Sequence, residues 1–137
     1  MKKRQCLFIM FFLFIMIGCS DDKNDNPIEE TSWQLTHIDE DIEVCSECYI
    51  LTFSTDNHWS SFGISNMQGG TVRIDGDNIV FLTEVESIVE EKKDNSTQII
   101  EESKYFELLT KVVKYKIIDN NLQLYTKNET IIYHQIK

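Results

Sequence analysis

Basic residues are few in this chain. Thirteen Lys and Arg stand against 23 Asp and Glu in 137 residues, a formal net charge of −10. Three of the cations are Lys2, Lys3 and Arg4, so the chain beyond residue 18 holds ten basic residues against all 23 acids, a net charge of −13. Such a body is repelled by phosphate backbones and anionic surfaces, which excludes nucleic-acid binding. Proline and glycine are also scarce, with one Pro and five Gly, and this excludes a low-complexity chain. Gly69-Gly70 is not followed by the Lys-Ser/Thr helix start of a phosphate loop. No nucleophile elbow or Ser-His-Asp order is present, and Ser60-Ser61 lies in a strand-like pattern. His37, His58 and His134 are scattered singles without the ligand spacing of a zinc site. Asp75-Gly76-Asp77 lacks the further carboxylates and the Glu at the twelfth place of a calcium loop, and reads as a turn. Pairs of carboxylates carry no signal where acids are this dense. No metal or cofactor is expected, and no catalytic constellation.

Long hydrophobic runs are missing too. The longest, Cys6 to Ile17, is twelve residues. As a helix it would rise about 18 Å, short of a hydrocarbon core of about 30 Å but suited to the apolar region of a secretory signal. It follows the basic start and ends at Gly18-Cys19, after which the chain turns acidic at Asp21-Asp22. This stretch resembles a bacterial lipobox, with Met16 where Leu is usual. The resemblance implies cleavage between Gly18 and Cys19 and lipidation of Cys19. Each buried methylene contributes about 0.8 kcal/mol, so two or more acyl chains anchor stably where one does not. Ser20, rather than Asp, after the cysteine implies the outer membrane. The acids that follow resemble a surface-export signal.

Residues 1–18 are thus expected to be a signal peptide and 19–31 a lipidated N-terminus with a flexible polar tether. A folded domain is expected over 32–137. Its alternation begins with Trp33, Leu35 and His37 on one side of a strand. Further strands are expected over Cys48–Phe53, His58–Ile64, Thr71–Ile74 and Asn78–Leu82, the last two joined by a hairpin turn. Residues 84–98 read as a solvated loop. Tyr105, Leu108, Leu109 and Val112 form a helical stripe, so one helix is expected near 99–113, with Glu101, Glu102 and Lys104 on its other face. Lys114–Ile118, Leu122–Thr126 and Thr130–Ile136 complete a C-terminal meander. The fold class is mainly β (α+β): a small bent antiparallel sheet or partial barrel of seven to eight strands with that one helix.

The order of elements resembles the META domain, also called HslJ-like, of bacterial envelope lipoproteins. Trp33-Gln34-Leu35 matches its opening strand, and Tyr49–Phe53 its Phe-bearing strand. Asn66–Val72 matches its central Asn and Gly region. Tyr105–Leu109, Val112–Ile117 and Asn121–Tyr125 match its late helix and closing strands. The Gly-Cys-Asn usual in the middle of that family is replaced here, where Ser65-Asn66 carries no cysteine. The resemblance covers 33–136 and implies a fold and a compartment rather than an enzymatic activity.

Two pairs of residues stand out within the domain. Cys45 and Cys48 suit a short structural disulfide in an oxidising compartment, worth at most about 2 kcal/mol. A thiol-disulfide redox pair is the alternative, disfavoured by the neighbouring Glu43 and Glu47 and by a following strand rather than a helix N-terminus. Trp59 and Phe62 are candidate contacts for a sugar or peptide, against the alternative that Trp59 fills the core. The expectation is a non-enzymatic, lipid-anchored envelope protein at the outer membrane or cell surface. Its membrane contact runs through the lipid, and its role is binding or structural, with a protein or glycan partner. A lipocalin-like carrier of an apolar ligand is a further alternative.

Overall fold

A computed structural model describes residues 26–39, 48–88 and 96–137, and side chains within these except for 87, 88 and 96–101. Eight strands run in sequence order: β1 (Thr31–Ile38), β2 (Ile50–Phe53), β3 (His58–Phe62), β4 (Asn66–Asp75), β5 (Asn78–Ile88), β6 (Lys114–Ile118), β7 (Asn121–Tyr125) and β8 (Thr130–Gln135). Each pairs antiparallel with the next, and β1 pairs with β8, from Trp33↔Gln135 to Ile38↔Ile131, to close a barrel. The partial barrel expected from the alternation is therefore closed into a ring.

Alternation decides which residues fill the barrel. Trp33 and Leu35 from β1, Leu51 and Phe53 from β2, Leu122 and Leu124 from β7, and Ile131 and Tyr133 from β8 are all buried at period two. The pattern breaks once in β1, where the register with β8 shifts between Leu35 and His37. That bulge adds a residue, so Ile38 turns inward and His37 outward. His37, placed beside Trp33 and Leu35 by simple alternation, is thus exposed for a definite reason.

Turn chemistry agrees with the hairpins. Asp56 and Asn57 between β2 and β3 take φ 59° and 58°, values those side chains tolerate better than most. Gly76, at φ 60°, opens the two-residue turn between the partners Asp75 and Asn78. The β4–β5 hairpin is longer than its sequence pattern suggests. β5 continues to Ile88, so the first five residues of the stretch 84–98 are strand rather than loop.

The helix α1 (Ser96–Lys111) joins β5 to β6. β5 and β6 touch in register only at Asn78↔Lys114. Bonds from Ile79 N–H to the Val113 carbonyl (3.1 Å) and from Tyr115 N–H to the Asp77 carbonyl (2.9 Å) flank that pair. This is the narrowest seam of the barrel, and α1 packs against β5 beside it.

An up-and-down barrel has two ends. The β3–β4 loop and the β7–β8 turn lie at one, which α1 covers: the helix end. The β2–β3, β4–β5 and β6–β7 turns lie at the other: the turn end. The chain enters β1 at the turn end through Asn26–Glu30, whose backbone closes on itself from Glu29 N–H to the Asn26 carbonyl (3.0 Å). Ile28 within this turn is fully buried in the core. Residues 26–31, expected in the tether, therefore belong to the folded body.

Candidate functional site

At the helix end, residues from β3, β8, α1 and the residue before β2 converge inside the barrel mouth. Tyr105 is fully buried there, its ring 4.4 Å from that of Tyr49 and 5.3 Å from that of Phe106. Its hydroxyl lies 2.9 Å from Ser61 Oγ and 2.9 Å from the Tyr133 hydroxyl. Ser61 and Tyr133 are also fully buried. A phenolate in such a place would lose its hydration, so burial pushes the Tyr105 pKa up to about 12 despite the two hydrogen bonds. Tyr133 is pushed well up by burial and then by Tyr105. Both phenols stay neutral across the physiological range, so this hydroxyl chain bonds the plug to the wall and supplies no ready base or nucleophile.

Glu102 fastens the same helix from outside the mouth. Its Oε1 accepts the backbone N–H of Ser65 (3.0 Å) and of Asn66 (2.8 Å), and its Oε2 accepts Asn66 Nδ2–H (2.9 Å). The carboxylate is fully buried against the β3–β4 loop. Gly63 makes that approach possible, since a Cβ there would stand 2.0 Å from Glu102 Oε1. The sequence placed Glu102 on the solvated helix face. It lies three residues before Tyr105, however, and so shares the buried stripe.

The turn end is more open. A groove of about 970 Å³ runs between the Asn26–Glu30 turn, the β2–β3 turn and the end of β4. Glu29, Asp56, Asp75, Arg73 and Tyr115 line it together with the apolar Ile74 and Leu82. One carboxylate is partly engaged, as Glu29 Oε1 accepts the Asp56 N–H at 3.2 Å. Arg73 forms no ion pair among the described residues. Burial, and then the negative charge of Asp77, push the Tyr115 pKa up. Nothing in the sequence pattern marked this groove, because its residues come from five separate stretches of the chain.

The sequence-derived candidates are not brought together. Trp59 and Phe62 sit three apart on β3 and so face opposite sides of the wall. Trp59 is 3% exposed, packs edge-on against Phe81 at 5.1 Å and donates its Nε1–H to the Leu82 carbonyl at 3.1 Å. It fills the core. Phe62 is 50% exposed on the outer wall. Cys48 is half-buried and packs against the core just before β2, whereas Cys45 lies outside the described residues, as do Gly18 and Cys19. The three histidines remain apart on the surface. His37 is 3.9 Å from Asp39, and His58 and His134 hydrogen-bond the Thr55 carbonyl and Asn121 Oδ1 at 3.2 Å each. No cluster of three metal-capable side chains occurs among the described residues.

A family model described as "META domain" matches residues 26–137. The match starts where the buried turn starts. An NMR structure of a protein from Burkholderia xenovorans is similar at 18% identity, with 81% of this chain and 85% of that one covered and a TM-score of 0.62. A crystal structure of a DUF4847 family protein from Bacteroides vulgatus is similar at 12% identity, with 78% and 93% covered and a TM-score of 0.56. A further NMR structure is similar at 13% identity, with 79% and 91% covered and a TM-score of 0.58. At these identities the likeness is one of fold. No curated protein matches the chain.

Proposed function

The chain belongs to the META domain family, and from that premise we propose that it is a non-enzymatic lipoprotein. On this reading a closed barrel is held at the outer membrane through Cys19 for a binding or structural role. The observation that carries the proposal is the spacing between address and cargo. The family match and the buried turn both start at Asn26, seven positions after a cysteine that ends a lipobox-like stretch. A body tied down at that distance suits attachment to a surface.

Two features of the barrel bear on the alternatives. The interior is occupied by Trp33, Phe53, Tyr49, Tyr105 and Tyr133, which argues against an apolar ligand carried inside. A strand, β2 from Ile50, follows Cys48, so the helix N-terminus that lowers the thiol pKa in redox pairs is not supplied after it. A structural Cys45–Cys48 disulfide is part of the proposal. Its reduction potential should lie well below the thioredoxin range, and a value within or above that range would restore the redox alternative.

Fractionation tests the placement. The protein should sediment with outer membranes, and Cys19→Ser should release it from that fraction or leave it as precursor. Unchanged outer-membrane sedimentation of the variant would refute the anchor.

A further inference from the structure

We infer that the groove at the turn end faces the bilayer and takes the headgroup of a zwitterionic amino-phospholipid from it. This rests on the lipid anchor proposed above. The direction follows from chain length. Between Cys19 and Asn26 lie six residues, so these two ends stand at most roughly 25 Å apart over seven extended steps. The chain joins the barrel at the turn end, where burial of Ile28 fixes the point of attachment. The groove opens beside that same turn, its lining including Asn26 and Glu29. An anchor at Cys19 therefore holds the groove toward the membrane and leaves α1 on the far side.

The chemistry of the lining selects among headgroups. Arg73 forms no ion pair among the described residues, although Glu29, Asp56 and Asp75 share its groove. A phosphoethanolamine group carries both complements: a phosphate for the guanidinium and an ammonium for the carboxylates. Tyr115 adds an aromatic face beside the ammonium, and Ile74 and Leu82 offer apolar surface to the glycerol. An anionic headgroup would meet three carboxylates with one cation, and is repelled. A volume of about 970 Å³ exceeds what the headgroup and glycerol require.

Headgroups freed of their acyl chains separate this claim from the anchor. The mature full chain in detergent is titrated calorimetrically with glycerophosphoethanolamine and, separately, with glycerophosphoglycerol. Saturable binding of the first is expected, with at least tenfold weaker binding of the second. Arg73→Ala, an exposed substitution, should weaken glycerophosphoethanolamine about tenfold or more. Asp75→Asn should weaken it less, since one of three carboxylates is lost. Absence of saturable binding, equal binding of both headgroups, or an Arg73→Ala variant that binds like the wild type would each overturn the inference. The Cys19→Ser chain should bind the free headgroup unchanged. If that holds while the outer-membrane fractionation shows no anchor, the bilayer-facing half of the inference falls with the anchor. If the anchor is present and the headgroup does not bind, only the inference falls.

Discussion

Replacing Glu102 with alanine removes three hydrogen bonds at once, those from Ser65 N–H, Asn66 N–H and Asn66 Nδ2–H. Hydrogen bonds to a charged acceptor contribute roughly 1.5–3 kcal/mol each, yet the three share one carboxylate and do not add in full. The carboxylate is fully buried while its partners Ser65 and Asn66 are half-buried. A loss of about 3–5 kcal/mol is therefore expected, similar to stripping one partner from a buried charged pair. Glu102→Gln should behave differently. Its Oε1 can still accept both backbone N–H groups, and Asn66 Oδ1 is buried without a partner. Rotating the Asn66 amide would offer that oxygen to the new NH₂ group, so a cost of about 1 kcal/mol is expected for the lost charge. Urea unfolding of the three proteins, with the denaturant slope checked for constancy, gives both numbers. An alanine variant within 1 kcal/mol of the wild type would refute the latch. A glutamine variant as damaged as the alanine variant would refute the account of its geometry.

Tyr105→Phe removes the hydroxyl that bonds both Ser61 and Tyr133 and should cost about 1–3 kcal/mol in the same assay, because two buried hydroxyls lose a partner. The Tyr105 pKa is raised to about 12 in the folded state, so its contribution is complete below about pH 10 and is lost as pH rises from there through about 12, a change of roughly 2–3 kcal/mol. Unfolding followed by circular dichroism should show that decline, and its absence would place the phenol in water. Ile28→Ala should cost about 2–4 kcal/mol, as for other fully buried aliphatic truncations. A cost near zero would return Asn26–Glu30 to the tether.

Much of the barrel was legible because its strands are short and half-buried, and period two declares itself in pairs such as Leu122 and Leu124. The helix was equally plain from Tyr105, Leu108, Leu109 and Val112, all buried. The failures share a cause: each depends on a partner distant in sequence. The bulge that exposes His37 is set by pairing with β8. The strand beyond Leu82 is held by pairing with β4, from Gly70↔Thr83 to Asn66↔Ile88, and its acids Glu84 and Glu86 make it look like loop. Ile28 sits in a polar stretch, and only the core it plugs explains it. Glu102 was read by charge rather than by its spacing to Tyr105. The groove was invisible because its lining is assembled from turns and strands distant in sequence.

The central claim is that this barrel hangs from a lipidated cysteine, and the mass of its N-terminal peptide tests it most directly. Protein purified from its host's outer membrane should yield a first peptide that begins at Cys19, heavier than its sequence by a thioether-linked diacylglycerol and an N-acyl chain. A first peptide beginning upstream of Cys19, or a Cys19 peptide of unmodified mass, would contradict it.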